Sequence, residues 1–89
     1  MVWNIEFERA AEKELDKIES QDARRILRFL SERIIVAEDP RSFGEALKGS
    51  RYANLWKYRV GDYRLICRIE DQNIKIIIVN IGNRREIYR

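Results

Sequence analysis

Eighty-nine residues are enough for one domain with a single modest core, so the chain is read as one unit spanning 1–89. Apolar residues at 45% against 37% charged ones exclude a disordered chain and point to a soluble globular one. One Cys and no His exclude a disulfide framework, a zinc site and a Cys–His nucleophile pair, so neither a metal nor another cofactor is expected.

No apolar run approaches the roughly 18 residues that a membrane span requires. No signal peptide opens the sequence, and a cytoplasmic protein without a membrane partner is expected.

Taken in chain order, Val2 to Phe7 alternates, with Trp3, Ile5 and Phe7 on one face, and predicts a half-buried first strand. Ala11, Leu15 and Ile18 recur at helical spacing within Glu8–Ile18, a short amphipathic helix. Ser20 suits an N-cap, and Ala23, Ile26, Leu27, Leu30 and Ile34 line one face of a second helix from about Gln21 to Val36. Asp39-Pro40 ends it, because the residue before proline avoids the helical region. Arg41 to Asn54 reads as a loop with one helical turn around Glu45–Leu47.

Two alternating runs then flank Gly61-Asp62, a pair suited to a two-residue hairpin loop. This register sets Val60 against Tyr63, Arg59 against Arg64, Tyr58 against Leu65 and Lys57 against Ile66. One face carries Trp56, Tyr58, Val60, Tyr63, Leu65 and Cys67; Trp3 and these residues are expected in the core. The other carries Lys57, Arg59, Arg64 and Arg68. A second tight turn at Asp71-Gln72 leads to a last strand, Asn73–Ile81. Pairing Glu70 with Asn73 sets Cys67 against Ile76 and Leu65 against Ile78, and assigns Lys75, Ile77, Val79 and Ile81 to the basic face. The predicted architecture is α+β: two N-terminal helices on one face of a mainly antiparallel four-stranded sheet, in the order β-α-α-β-β-β.

Charge is distributed unevenly along this frame. From Lys48 to Arg89 ten Lys and Arg stand against four acids, which leaves that part at +6 while the whole chain carries only +3. Like charges directly opposite on a ladder destabilise it. A hairpin that sets Arg59 against Arg64 is therefore built to meet an anion, and a polyanionic partner is expected.

Ala46-Leu47-Lys48-Gly49, Trp56-Lys57-Tyr58-Arg59-Val60-Gly61-Asp62-Tyr63-Arg64 and Ile81-Gly82-Asn83-Arg84-Arg85-Glu86-Ile87-Tyr88 together resemble the RelE/ParE superfamily of toxin–antitoxin toxins. The order of elements matches over the whole chain, and the resemblance is to the RelE branch. It implies an endoribonuclease that enters the ribosomal A site and cuts mRNA without metal. In that reaction the 2′-hydroxyl attacks the adjacent phosphate, leaving a 2′,3′-cyclic phosphate and a 5′-hydroxyl. The implied partners are the ribosome, its mRNA and a cognate antitoxin, with which the toxin would form a hetero-oligomer. The resemblance also implies four catalytic residues. Lys57 matches the strand lysine of proton transfer, Arg64 the hairpin arginine on the phosphate, Arg84 the arginine after the last strand, and Tyr88 a tyrosine near the C-terminus. Leu55 departs from members with a second basic residue at its position.

The chemistry needs a base for the nucleophile, an acid for the leaving 5′-oxygen and cations for the phosphorane. Arg59, Arg68, Lys48 and Arg51 are expected to contact RNA around the catalytic four. No cluster of Asp and Glu on the basic face would hold a metal. Two alternatives stand beside this reading: a ParE-like poison of DNA gyrase that acts by protein binding, and a degenerate member that only binds its antitoxin.

Overall fold

Ile5 and Phe7 turn inward from β1 (Asn4–Phe7), and the chain then enters α1 (Arg9–Lys17) and α2 (Ser20–Phe29). The computed structural model describes residues 2–48 and 54–83. β2 (Glu45–Ala46), β3 (Leu55–Val60), β4 (Tyr63–Glu70) and β5 (Lys75–Asn83) complete one five-stranded sheet in the order β1-β5-β4-β3-β2. β1 runs parallel to β5 and the remaining pairs are antiparallel. α1 packs on β5 and α2 on β3. The core between helices and sheet is built on Ile26, Ile34, Tyr58, Leu65, Cys67 and Ile78, all fully buried. Each such aliphatic side chain contributes roughly 1.5–3 kcal/mol by leaving water.

The central hairpin has the register expected from its alternation, including Arg59 opposite Arg64 and Lys57 opposite Ile66. Gly61 alone of its two loop residues takes a positive φ, at 59°, which a II′ turn requires at its first position. Tyr58 anchors the strand beneath α2. Its ring meets Phe29 edge-on at 5.6 Å, and its hydroxyl donates to the Pro40 carbonyl at 2.9 Å. Cys67 packs beside it, and burial pushes that thiol up to about 12, so it acts as a core residue.

Five expectations are corrected. Ser20 is the first helical residue rather than the cap, since Glu19 holds the N-cap position. The second helix ends as an α-helix at Phe29 and continues as a π-helical turn over Leu30–Ile34, closed by Ile35 N–H to the Leu30 carbonyl. Carbonyls just beyond this turn accept from Trp3: its backbone N–H reaches Ile35 O at 2.9 Å and its indole N–H reaches Ala37 O at 3.0 Å. The helical turn expected near Glu45–Leu47 is instead the edge strand β2, preceded by a 3-10 turn at Pro40–Phe43, so the sheet has five strands rather than four.

The β4–β5 connection spans Asp71–Ile74, with Ile74 at a φ of +50°, and the register shifts accordingly. Cys67 faces Ile78, and Glu70 faces Lys75. Val79 is then an extra residue, bulged between the Cys67–Ile78 and Ile66–Asn80 pairs. The bulge reverses the alternation beyond it. Ile81, expected on the basic face, is buried in the core opposite Leu65, Asn80 turns to solvent, and Gly82 falls opposite Arg64.

The 3-10 turn is clamped to the β4–β5 connection. Arg41 donates to both oxygens of Asp71, at 2.9 and 2.6 Å, and lies 5.7 Å from the Trp56 ring centroid. The hydrogen bonds from Arg41 hold the Asp71 carboxyl below its ordinary value near 3.8. A carboxyl depressed in the folded state contributes stability that is whole above its unfolded pKa and is lost as pH falls through the folded one. Acid unfolding of the wild type should therefore steepen below about pH 3.8. Asp71→Asn should flatten that limb in a pH series of thermal melts; an unchanged limb would mean that the clamp contributes nothing.

Candidate active site

The face of the sheet turned away from the helices carries Lys57 and Arg59 on β3, Arg64, Ile66 and Arg68 on β4, and Ile77 and Asn80 on β5. Strand alternation brings these side chains to one surface, and the two-residue loop at Gly61-Asp62 fixes which cations meet across the ladder.

Arg64 is the unusual group. It is 3% exposed, and it is the one buried charged residue among those described. Among the described residues its Nη1 donates to the Tyr63 carbonyl, at 3.4 Å, and its Nε has no hydrogen-bond partner. An unmet buried donor costs about 1–3 kcal/mol. Opposite it on β5 stands Gly82, which has no side chain, and opposite it on β3 stands exposed Arg59. Among the described residues neither arginine is ion-paired with a carboxylate. Two arginines paired across the ladder have the chemistry to fork hydrogen bonds onto the oxygens of an anion such as a phosphate.

Lys57 lies diagonal to Arg64 on the same face, with its side chain 15% exposed. Its Nζ stands 3.6 Å from an oxygen of Glu45, the β2 residue directly across the ladder. Glu45 was not anticipated from sequence. Glu, Ala and Leu favour helices, and a two-residue strand is too short to show a period. Gly44 permits this edge strand to close in, because a Cβ there would sit 2.7 Å from the Lys57 carbonyl and 3.0 Å from the Tyr58 ring.

The remaining expected contacts divide. Arg68 is committed elsewhere, its Nη2 3.7 Å from Glu8 and its Nε 3.5 Å from Glu70, while Lys75 is held at 3.1 Å by Glu6. The β1 side of the face is thus neutralised, and the face cations without a paired carboxylate among the described residues, Arg59 and Arg64, lie at the hairpin end. Lys48 is exposed just beyond β2. Arg51, Arg84 and Tyr88 lie outside the described residues. Among the described residues no three acids or cysteines converge as a metal cluster would.

An α+β sheet with two helices on one face and a compact basic site on the other defines a toxin domain of the RelE/ParE type. Residues 5–88 match the family described as ParE toxin of type II toxin–antitoxin system, parDE, and the chain belongs to that family. It is 26% identical to Toxin RelG of Mycobacterium tuberculosis over 89 residues, covering 100% of this chain and 99% of the relative. Its fold is that of a chain in the RelBE2 toxin–antitoxin complex of M. tuberculosis, at a TM-score of 0.84 and 22% identity, covering 93% of this chain and 99% of the other. A chain of the RelE–RelB complex of Pyrococcus horikoshii has the same fold at a TM-score of 0.75 and 24% identity, covering 97% and 99% respectively.

Proposed function

We propose that this toxin is a ribosome-dependent endoribonuclease that cuts mRNA in the A site and is held inactive by a cognate antitoxin. The observation that carries the reading is Arg64, buried with an unpartnered Nε beside Arg59 and Lys57. A surface that only repelled wrong partners would have no use for a buried, incompletely bonded guanidinium.

In this reaction the 2′-oxygen bonds to the adjacent phosphorus and the bond to the 5′-oxygen breaks. Arg64 and Arg59 take the charge that gathers on the phosphorane oxygens. Lys57, in its neutral form, takes the proton of the 2′-hydroxyl, and Glu45 orients its Nζ. Arg84 and Tyr88 are assigned to the reaction by their match to the family pattern, with Tyr88 the donor to the leaving oxygen. No step calls on a metal. The relatives solved as toxin–antitoxin complexes support an antitoxin partner and a hetero-oligomer for this chain as well.

The family match is to ParE toxins, and it favours a second reading, a gyrase poison that acts by protein binding. One experiment separates the two. The purified chain is added to a translating extract, and mRNA ends are mapped by primer extension beside an assay for gyrase-dependent DNA breaks. Breaks within codons of translated mRNA are expected. Intact mRNA with gyrase-linked DNA breaks would transfer the case to the second reading.

A further inference from the structure

A strand of two residues has little hold of its own. β2 consists of the Glu45–Lys57 and Ala46–Trp56 pairs, with Leu47 N–H reaching the Leu55 carbonyl at 3.0 Å just beyond them. Even a full isolated hairpin is marginal in water, so β2 is fixed by what flanks it. Lys57 depends on that placement, because the Glu45 carboxylate near its Nζ is carried by β2.

The flanking element is the 3-10 turn at Pro40–Phe43. Pro40 is buried, and its carbonyl accepts from the Tyr58 hydroxyl. Arg41 N–H donates to the Asp39 side chain at 3.0 Å, and the Arg41 carbonyl accepts from Gly44 N–H at 3.1 Å. The Arg41 guanidinium forks onto Asp71 and lies over the Trp56 ring. Trp56 precedes Lys57 on β3 and is the partner of Ala46. Arg41 therefore bears on β2 twice, through its own carbonyl and through the residue against which β2 pairs. The join from turn to strand is tight, since a Cβ at Gly44 would sit 2.7 Å from the Lys57 carbonyl. Neighbouring strand residues point to opposite faces, so Trp56 and the guanidinium over it lie on the helix side of the sheet. Arg41 acts on the candidate site from behind.

We infer that Arg41 is a positioning residue for Lys57: its pair with Asp71 holds β2 where Glu45 meets the Lys57 Nζ. The inference rests on the endonuclease reading for its consequence in rate, and on the fold alone for the placement of Lys57. Asp71 lies at the end of β4 away from the hairpin tip, in the connection to β5. That connection thus bears on the lysine of the candidate site without touching substrate.

The test reads Lys57 directly, by its rate of acylation with an N-hydroxysuccinimide acetate, followed by mass spectrometry of the full chain's peptides. Lys13 and Lys17 on α1 serve as internal standards. Arg41→Gln and Asp71→Asn should each speed labelling of Lys57 by about two- to fivefold, the scale of one lost ion pair, with the α1 lysines unchanged. The double variant should label no faster than either single one, because both remove the same pair. In a Glu45→Gln background neither change should add anything, since the effect runs through Glu45. Arg41→Lys keeps a cation for Asp71 without the fork and should fall between. Single-turnover cleavage of ribosome-bound mRNA at saturating toxin should slow by a similar factor in Arg41→Gln, with half-saturation unchanged, as for a lysine less well aimed. Wild-type labelling of Lys57 in both single variants would overturn the inference. So would effects that add to Glu45→Gln or that quicken the α1 lysines equally, which would mark a general loosening. Faster labelling of Lys57 beside an undiminished cleavage rate would also overturn it. If labelling changes as expected and wild type leaves mRNA intact, the positioning of Lys57 stands and the endonuclease reading fails.

Discussion

Replacing Arg64 with alanine is expected to slow single-turnover cleavage of ribosome-bound mRNA by about 10²–10³-fold, the scale for one lost transition-state donor. Ribosome affinity should change far less, because many cations share that electrostatic attraction. Arg64→Lys should recover only part of the rate, since a point ammonium cannot fork onto two oxygens. The same residue predicts an opposite effect on stability. Arg64 is buried with an unmet Nε and stands opposite Arg59, and among the described residues no carboxylate pairs with it. Arg64→Met keeps length and removes both defects, and should raise stability by about 1 kcal/mol, visible as a rise of several degrees in Tm. A variant both more stable and inactive would identify Arg64 as retained for its ligand. Full cleavage by Arg64→Ala would end its assignment to the phosphate.

Lys57 is separated from a mere cation by its pH dependence. Lys57→Arg preserves the charge beside Glu45, but a guanidinium holds its proton at any working pH. Cleavage should fall by about 10²–10⁴-fold, the contribution of a positioned proton carrier, and the wild-type pH profile should disappear. Glu45→Gln should be milder in rate and should displace that profile, because it changes what surrounds the lysine while leaving it in place. If Lys57→Arg cuts at the wild-type rate with the same profile, Lys57 is an electrostatic contact and Glu45 becomes the candidate base.

Much of this site was legible before the fold was known. Period-two alternation on both sides of Gly61-Asp62 sufficed to set Arg59 against Arg64 and Lys57 against Ile66, and the structure has those pairs. The family resemblance rested on that same hairpin, and the match over residues 5–88 bears it out. What alternation could not carry was a change of phase. Asp71-Gln72 looks like a complete turn, yet the loop runs to Ile74, a β-branched residue in the left-handed region that no propensity would choose. The bulge at Val79 did leave a trace: strict alternation from Ile76 and Ile78 sends Asn80 to the core and Ile81 outward. That conflict between pattern and polarity signals an extra residue. Glu45 left no comparable trace, because its strand exists only through tertiary contact with β3. Burial of Arg64 was equally hidden, since sequence reports which face a side chain takes and not how deeply it sinks.

The bulge also makes β5 unequally tolerant of changes in length. Within a regular strand, loss of one residue sends every later side chain to the wrong face. Val79 is already surplus to the ladder, so its deletion would leave Cys67 opposite Ile78, Ile66 opposite Asn80 and Leu65 opposite Ile81. A strand of nine residues thus holds one site where shortening is absorbed as a change of twist, and homologous chains could differ in length there without exchanging their two faces.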